Sequence, residues 1–272
     1  MTTRSFRCNL CVLAALFVAG VATAQTNPNP SDATGHRGHA HNDYLHQRPL
    51  LDALDQGFSS VEADIYLIDG QLLVAHDRDK VSEDRTLVNL YLDPLRDRVN
   101  KNNGSVHGND APFTLLIDIK SDGAKTYEAL DKVLSQYADV LTSVDADGLH
   151  RRAVTVIVSG NRATELIAAD RPRYVGIDGR LTDLESDVPA ETMPLISDNW
   201  GKHFSWRGEG PMPAADREKL ADVIAKAHAK NRRIRLWATP DRPAVWAVLD
   251  DAGVDLINTD DLAGLMQFLR SR

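Results

Sequence analysis

In the stretch SVEADIYLIDGQLLVAHD, residues 60–77, Glu62 and Asp64 stand two apart and His76 comes near the end. An extended chain alternates its faces, so Glu62 and Asp64 share one face while Val61, Ala63 and Ile65 share the other. If the carboxylate face points into a barrel or cleft, two negative charges sit in a low-dielectric space, which is costly unless a cation pairs with them. The stretch FTLLIDIK, residues 113–120, repeats the theme, with Asp118 and Lys120 on one face. Glu62, Asp64 and Asp118 together offer hard oxygen ligands in a number that suits one Mg²⁺ or Ca²⁺. Upstream, GHAHND at 38–43 supplies His39, His41, Asn42 and Asp43. Either His39 or His41, facing His76, makes an acid/base or nucleophile pair. Lys120 supplies a fixed positive charge for an anionic group. Trp237 is a candidate substrate wall. Taken singly, each feature has an ordinary explanation, such as a solvated strand face, a turn or a structural ion pair. Their combination is hard to explain by packing.

These side chains need elements to hold them. Eight β-branched runs are predicted as strands: 34–40, 59–68, 113–119, 153–159, 174–177, 193–197, 233–238 and 255–258. Between them lie segments such as GAKTYEALDKVLSQYADVL and PAADREKLADVIAKAHAKN, with apolar residues at helical spacing. Repeated βα alternation means a parallel sheet with helical crossovers. Eight units predict an α/β fold: a single (β/α)8 TIM barrel, whose chemistry gathers at the C-terminal ends of the strands. Asp69-Gly70 predicts a small β-hairpin after strand 2, with residues 71–75 as its return arm. No Gly-rich dinucleotide or P-loop motif follows any strand.

The chain has 272 residues. Residues 1–24 read as a signal peptide: Arg4 and Arg7, an apolar run at 10–21, and Ala22-Thr23-Ala24 as the cleavage site. A disordered, polar lead-in is predicted at 25–34, and the barrel domain at 35–272. The expected localisation is secreted or periplasmic, after cleavage near Ala24. Both cysteines, Cys8 and Cys11, precede that site, which excludes thiol chemistry and disulfides in the mature chain. The net charge of −8 becomes −10 once Arg4 and Arg7 are gone. An acidic chain is a poor partner for nucleic acid, and at most a transient one for a membrane surface. No obligate protein partner is evident.

The order His39, Glu62-x-Asp64, His76-Asp77, Asp118-x-Lys120 resembles the phospholipase C-like phosphodiesterase superfamily, which holds the glycerophosphodiester phosphodiesterases and the sphingomyelinase D enzymes. HAHNDY, PLLDAL, the stretch 57–77, RTLVNLYLDPL and the C-terminal VDLINTDD look most like the altered inheritance of mitochondria protein 6 branch. The resemblance implies a metal-dependent phosphodiesterase that cleaves a glycerophosphodiester or a phospholipid headgroup P–O bond. Glu62, Asp64 and Asp118 match the ligands of one divalent ion. His76 matches the general acid, and Lys120 the lysine that holds the phosphate. His39 matches the first histidine, but HAHND replaces the family's usual run, so His39 and His41 both stand as candidates, with His36 a weaker one. Asn42 and Trp237 complete the expected substrate contacts, and the substrate is a phosphodiester or phospholipid-derived small molecule. Asp118 stands where glycerophosphodiesterases usually carry glutamate, as in the sphingomyelinase D branch. The short stretch 77–113 leaves no room for a glycerol-binding insertion, so the headgroup is open.

Two other readings compete. His39-Ala40-His41 is the H-x-H of amidohydrolase-like metal hydrolases, which need further histidines at later strand ends. A secreted barrel that binds a phospho-ligand or Ca²⁺ without turnover is the other. The Trp-rich run 199–212 is open between a lid or substrate wall, with Trp200 and Trp206 against an acyl chain or sugar, and an ordinary loop.

Overall fold

Eleven strands appear in chain order in the computed structural model, which describes Met1 and residues 36–109 and 111–272. They are β1 (His36–Ala40), β2 (Phe58–Ile68), β3 (Gln71–Val74), β4 (Phe113–Ile119), β5 (Ser143–Asp145) and β6 (Gly148–His150), then β7 (Val154–Gly160), β8 (Val175–Gly179), β9 (Leu195–Asn199), β10 (Arg233–Trp237) and β11 (Leu256–Thr259). β1, β2, β4 and β7 to β11 pair in parallel, and β1 pairs with both β2 and β11. The sheet therefore closes on itself as an eight-stranded barrel with helical crossovers, the predicted (β/α)8 fold. Each predicted strand is present, with ends displaced by one or two residues. The expected signal peptide (beyond Met1) and the lead-in at 25–34 lie outside the described residues.

Burial follows the alternation of each strand. Val61, Ala63 and Ile65 join the apolar layer between barrel and helices, which also takes Leu115, Ile117, Val156 and Val158. Leu116, Ile157, Leu195 and Leu256 form a separate buried cluster from the opposite faces, a thin apolar layer inside the barrel. Helices are fastened at their starts: Asp122 accepts from Lys125 N ahead of Gly123–Leu134, and Asp261 accepts from Gly264 N ahead of Leu262–Arg270.

The hairpin forms as predicted. β3 runs antiparallel to the outer half of β2, from Ile65 opposite Val74 to Ile68 opposite Gln71. Asp69 and Gly70 both take positive φ (49° and 80°), the requirement of a tight two-residue turn. A second, unpredicted hairpin, β5–β6, lies outside the barrel. In the run 199–212 both tryptophans turn inward. Trp200 is fully buried, stacks on Phe204 with ring centroids 4.2 Å apart, and donates to Trp206 O; Trp206 is buried too and donates to Glu209 O. Both indoles are core, which settles the open alternative for these two side chains against a substrate wall. Among the described residues no helix is long and apolar enough to cross a membrane.

Candidate active site

Parallel register sets the site. Glu62 lies opposite Leu116 and Asp64 opposite Asp118, so β2 and β4 deliver their carboxylates side by side. Glu62, Asp64 and Asp118 each offer an oxygen within 4.8 Å of the others. Lys120, just past β4, reaches Asp64 Oδ2 at 3.0 Å and Asp118 Oδ1 at 3.2 Å. Tyr44 OH lies 2.7 Å from Asp64 Oδ2 and 2.6 Å from Asn42 Oδ1, and its single proton serves one of the two at a time. The space beside Asp118 depends on Gly160. Its φ is +68°, and a Cβ there would stand 2.1 Å from Asp118 Oδ1 and 2.5 Å from Ile119 O.

The electrostatics show charge crowded below its ideal solvation. Burial, and then the Glu62 carboxylate, push Asp64 up to about 7, against the pull of Lys120. Burial also raises Asp118. Burial works against the Lys120 ammonium, yet Asp64 and Asp118 outweigh it and hold its pKa above the ordinary lysine value. Glu62 goes the other way: burial opposes its ionisation, but the Arg235 guanidinium and the His39 hydrogen bond overcome that and hold it well below the usual range.

Arg235 is the residue that sequence reasoning missed. It rises from β10 and crosses the barrel interior, where its Nη2 donates to Glu62 Oε2 and to Asn258 Oδ1, each at 2.6 Å, and its Nε donates to Asn258 Oδ1 at 3.0 Å. The available signal was the alternation Arg233, Arg235 in RIRLW, the same period-two reasoning that picked out Glu62 and Asp64.

The two neighbouring histidines differ. His39 is fully buried, with Nδ1 at 2.7 Å from Ser60 Oγ and Nε2 at 3.3 Å from Glu62 Oε2. Burial, reinforced by Arg235, lowers its pKa to about 3, so it stays neutral. An ionised Glu62 can only accept, which puts the proton on Nε2 and leaves Nδ1 to accept from Ser60. Both nitrogens of His39 are thus engaged, with Nε2 beside the Glu62 carboxylate of the cluster. His41 lies at the mouth, its Nδ1 2.8 Å from Asp260 Oδ1. Asn42, in the left-handed region at φ 49°, donates to the same Asp260 oxygen at 3.2 Å. The His41 hydrogen bond, more than burial opposes it, holds Asp260 below the usual carboxylate range.

His76 sits just past β3, mostly exposed, with Nδ1 3.0 Å from Asp77 Oδ1. It lines a cavity of about 570 Å³ together with Asn42 and Tyr44, the latter bonded to Asp64. Trp237 is half-buried at the end of β10, beside Asn199 in register. Among the described residues, the cluster that could hold a metal ion is Glu62, Asp64 and Asp118, and neither His39 nor His41 of the H-x-H run is part of it. The donor set fits a hard divalent cation: three carboxylates converge, and Asp64 Oδ1 is buried without a partner.

Residues 30–178 match the family described as AIM6-like phosphodiesterase domain, and residues 233–263 match the Glycerophosphoryl diester phosphodiesterase family. Altered inheritance of mitochondria protein 6 of Eremothecium gossypii is 32% identical over 268 residues, covering 85% of this chain and 69% of that protein. The Arthroderma benhamiae homolog is 28% identical over 254 residues, covering 82% and 81%. A glycerophosphodiester phosphodiesterase from Agrobacterium tumefaciens superposes with a TM-score of 0.52 at 16% identity, over 87% of this chain and 100% of that one, a likeness of fold. The relatives' names overturn the expectation of a secreted or periplasmic protein, because proteins named for the inheritance of mitochondria point to a mitochondrial or intracellular role.

Proposed function

Because the chain belongs to the AIM6-like phosphodiesterase family, we propose that its barrel, residues 35–272, is a metal-dependent phosphodiesterase acting on a glycerophosphodiester or a phospholipid-derived small molecule. The observation that carries this reading is the convergence of Glu62, Asp64 and Asp118 at the barrel mouth with Lys120 bridging two of them. One Mg²⁺ or Ca²⁺ held by these carboxylates would neutralise charge that builds on the non-bridging phosphate oxygens.

The chain's own residues do the rest. Lys120 is an ammonium already fixed beside Asp64 and Asp118, where it would meet a second non-bridging oxygen of the phosphate. Asp260 accepts the His41 Nδ1 proton, which leaves Nε2 as the basic atom, so His41 takes the proton of the attacking hydroxyl. His76, across the cavity, gives its proton to the leaving alkoxide. Asn42 ties His41, Asp260 and Tyr44 together, and Tyr44 carries that order on to Asp64. Trp237 borders the substrate.

The test is turnover by the full chain on a panel of glycerophosphocholine, glycerophosphoinositol, lysophospholipids, sphingomyelin and bis-p-nitrophenyl phosphate. Products are followed by ³¹P NMR, with EDTA and with Mg²⁺ or Ca²⁺ added back. The expected outcome is turnover that EDTA abolishes and the ion restores, and that His76→Ala lowers by at least ~10²-fold. Turnover indifferent to EDTA, or none on any member with the ion bound, would defeat the proposal.

A further inference from the structure

The cavity beside His76 is wider than the transferred phosphoryl group needs. Its volume of about 570 Å³ lies between the segment 42–46, the return arm of the hairpin and the loop 76–85. Val74 and Ala75, both buried, make an apolar floor. The rim is basic. Arg85 is held against the wall by its bond to Tyr44 O at 2.5 Å. Lys80 pairs only with Asp79, at 3.3 Å, and both side chains are more than two-thirds exposed, so that pair competes weakly with a ligand. Asp77 is the one carboxylate on the wall, and it is already engaged by His76 Nδ1. Two permanent cations against one carboxylate is a local reversal of sign in a chain whose net charge is −8. A quaternary ammonium would find no cage of electron-rich rings here: beside Tyr44, whose hydroxyl faces Asp64 and Asn42, the rings on the wall are the imidazoles of His46 and His76, with no Trp, Phe or second Tyr.

Position assigns the cavity a part in the reaction proposed above, on which this inference rests. The group next to the general acid is the group that leaves. We propose that this cavity holds the leaving alcohol of the phosphodiester and selects an alcohol that carries an anion of its own, a phosphate or a carboxylate, paired with Lys80 and Arg85. As the attacking hydroxyl forms the new P–O bond, its proton passes to His41. The scissile P–O bond breaks with its electron pair on the leaving oxygen, which takes the proton from His76. The anionic tail of that alcohol stays on the basic rim, away from the three carboxylates.

Two measurements test this. Isothermal titration of the full chain in EDTA uses glycerol 3-phosphate, glycerate and glycerol as probes. Binding of one or both anions, at least about tenfold tighter than glycerol and lost in Lys80→Ala/Arg85→Gln, is expected; the stronger of the two names the anion. Equal binding of all three, or binding unchanged in the double variant, overturns the proposal. The second arm compares kcat/KM for glycerophosphoglycerol with that for the same diester bearing a terminal phosphate on the leaving glycerol. A preference for the phosphorylated substrate, read as the ratio of the two kcat/KM values, that falls to about one in Lys80→Ala supports it, and a ratio unchanged in that variant overturns it. A preference for glycerophosphocholine overturns it. If no diester is cleaved, the phosphodiesterase reading fails and the titration alone decides what the cavity binds.

Discussion

His39 lies in β1 and His41 in the turn that follows it, and the structure buries the first between Ser60 and Glu62 while the second meets Asp260. His41→Ala is expected to lower kcat by at least ~10²-fold with the melting temperature retained, because only a mouth-facing ring is lost. His39→Ala is expected to cost about 1–3 kcal/mol of stability, since Ser60 and part of Glu62 are left buried without a partner. Parallel assays of turnover and thermal unfolding separate the two. Asp43 offers a pH signature at the same scale. Burial outweighs its bonds from Leu50 N and Tyr91 OH and raises its pKa to about 6, from an ordinary value of 3.8. Between those values the folded chain binds a proton that the unfolded chain has released. This group therefore adds stability as pH falls from about 6 toward 4 and contributes no slope above that. Asp43→Asn should flatten this part of a stability profile measured by denaturant unfolding; an unchanged slope would show that another group carries it. Glu62, Asp64, Asp118 and Lys120 were legible at this scale because period-two spacing is written in the sequence itself. Arg235 was not, because its bond to Glu62 spans 173 residues.

Elements carried most of the legible information. All eight barrel strands and the hairpin follow from apolar runs, turn residues and helical spacing, with ends off by a residue or two. β5 and β6 escaped because three-residue arms are too short to show a period. The run 199–212 stayed open because Gly and Trp together suit a substrate wall as well as a loop, and the carbonyl partners that Trp200 and Trp206 find inside are not written in the spacing. At the end of β7, Gly160 is where an element limits the site. Gly160→Ala forces a Cβ onto Asp118 Oδ1 at a φ that L residues rarely adopt, with a strain cost of about 1–3 kcal/mol. Weaker Mg²⁺ binding by titration calorimetry together with a lower melting temperature is expected. Full affinity in that variant would show that β4 and β7 can separate without disturbing Asp118.

Across the whole molecule, the barrel interior is layered. A thin apolar layer of Leu116, Ile157, Leu195 and Leu256 is accompanied by a polar level in which His39, Glu62, Arg235 and Asn258 are bonded to one another. Removing one member of a buried ion pair leaves the other uncompensated, at a cost of about 3–5 kcal/mol. Arg235→Met and Glu62→Gln are each expected to destabilise, and the double variant to recover at least ~1 kcal/mol relative to their sum. A double-mutant cycle from equilibrium unfolding measures this, and strict additivity would mean that the pair is not coupled.

Arg235 and Lys120 also bear on the order in which the molecule comes to maturity. Counter-ions built into the chain stand beside all three carboxylates from the moment the barrel closes. Assembly need not wait for a mineral partner, as it must where cysteines or carboxylates repel one another until an ion arrives. Under the metal-dependent function proposed above, the barrel would be synthesised, closed and kept in reserve, and its competence would follow the supply of the ion in its surroundings. Chelation would silence such a protein and leave it standing.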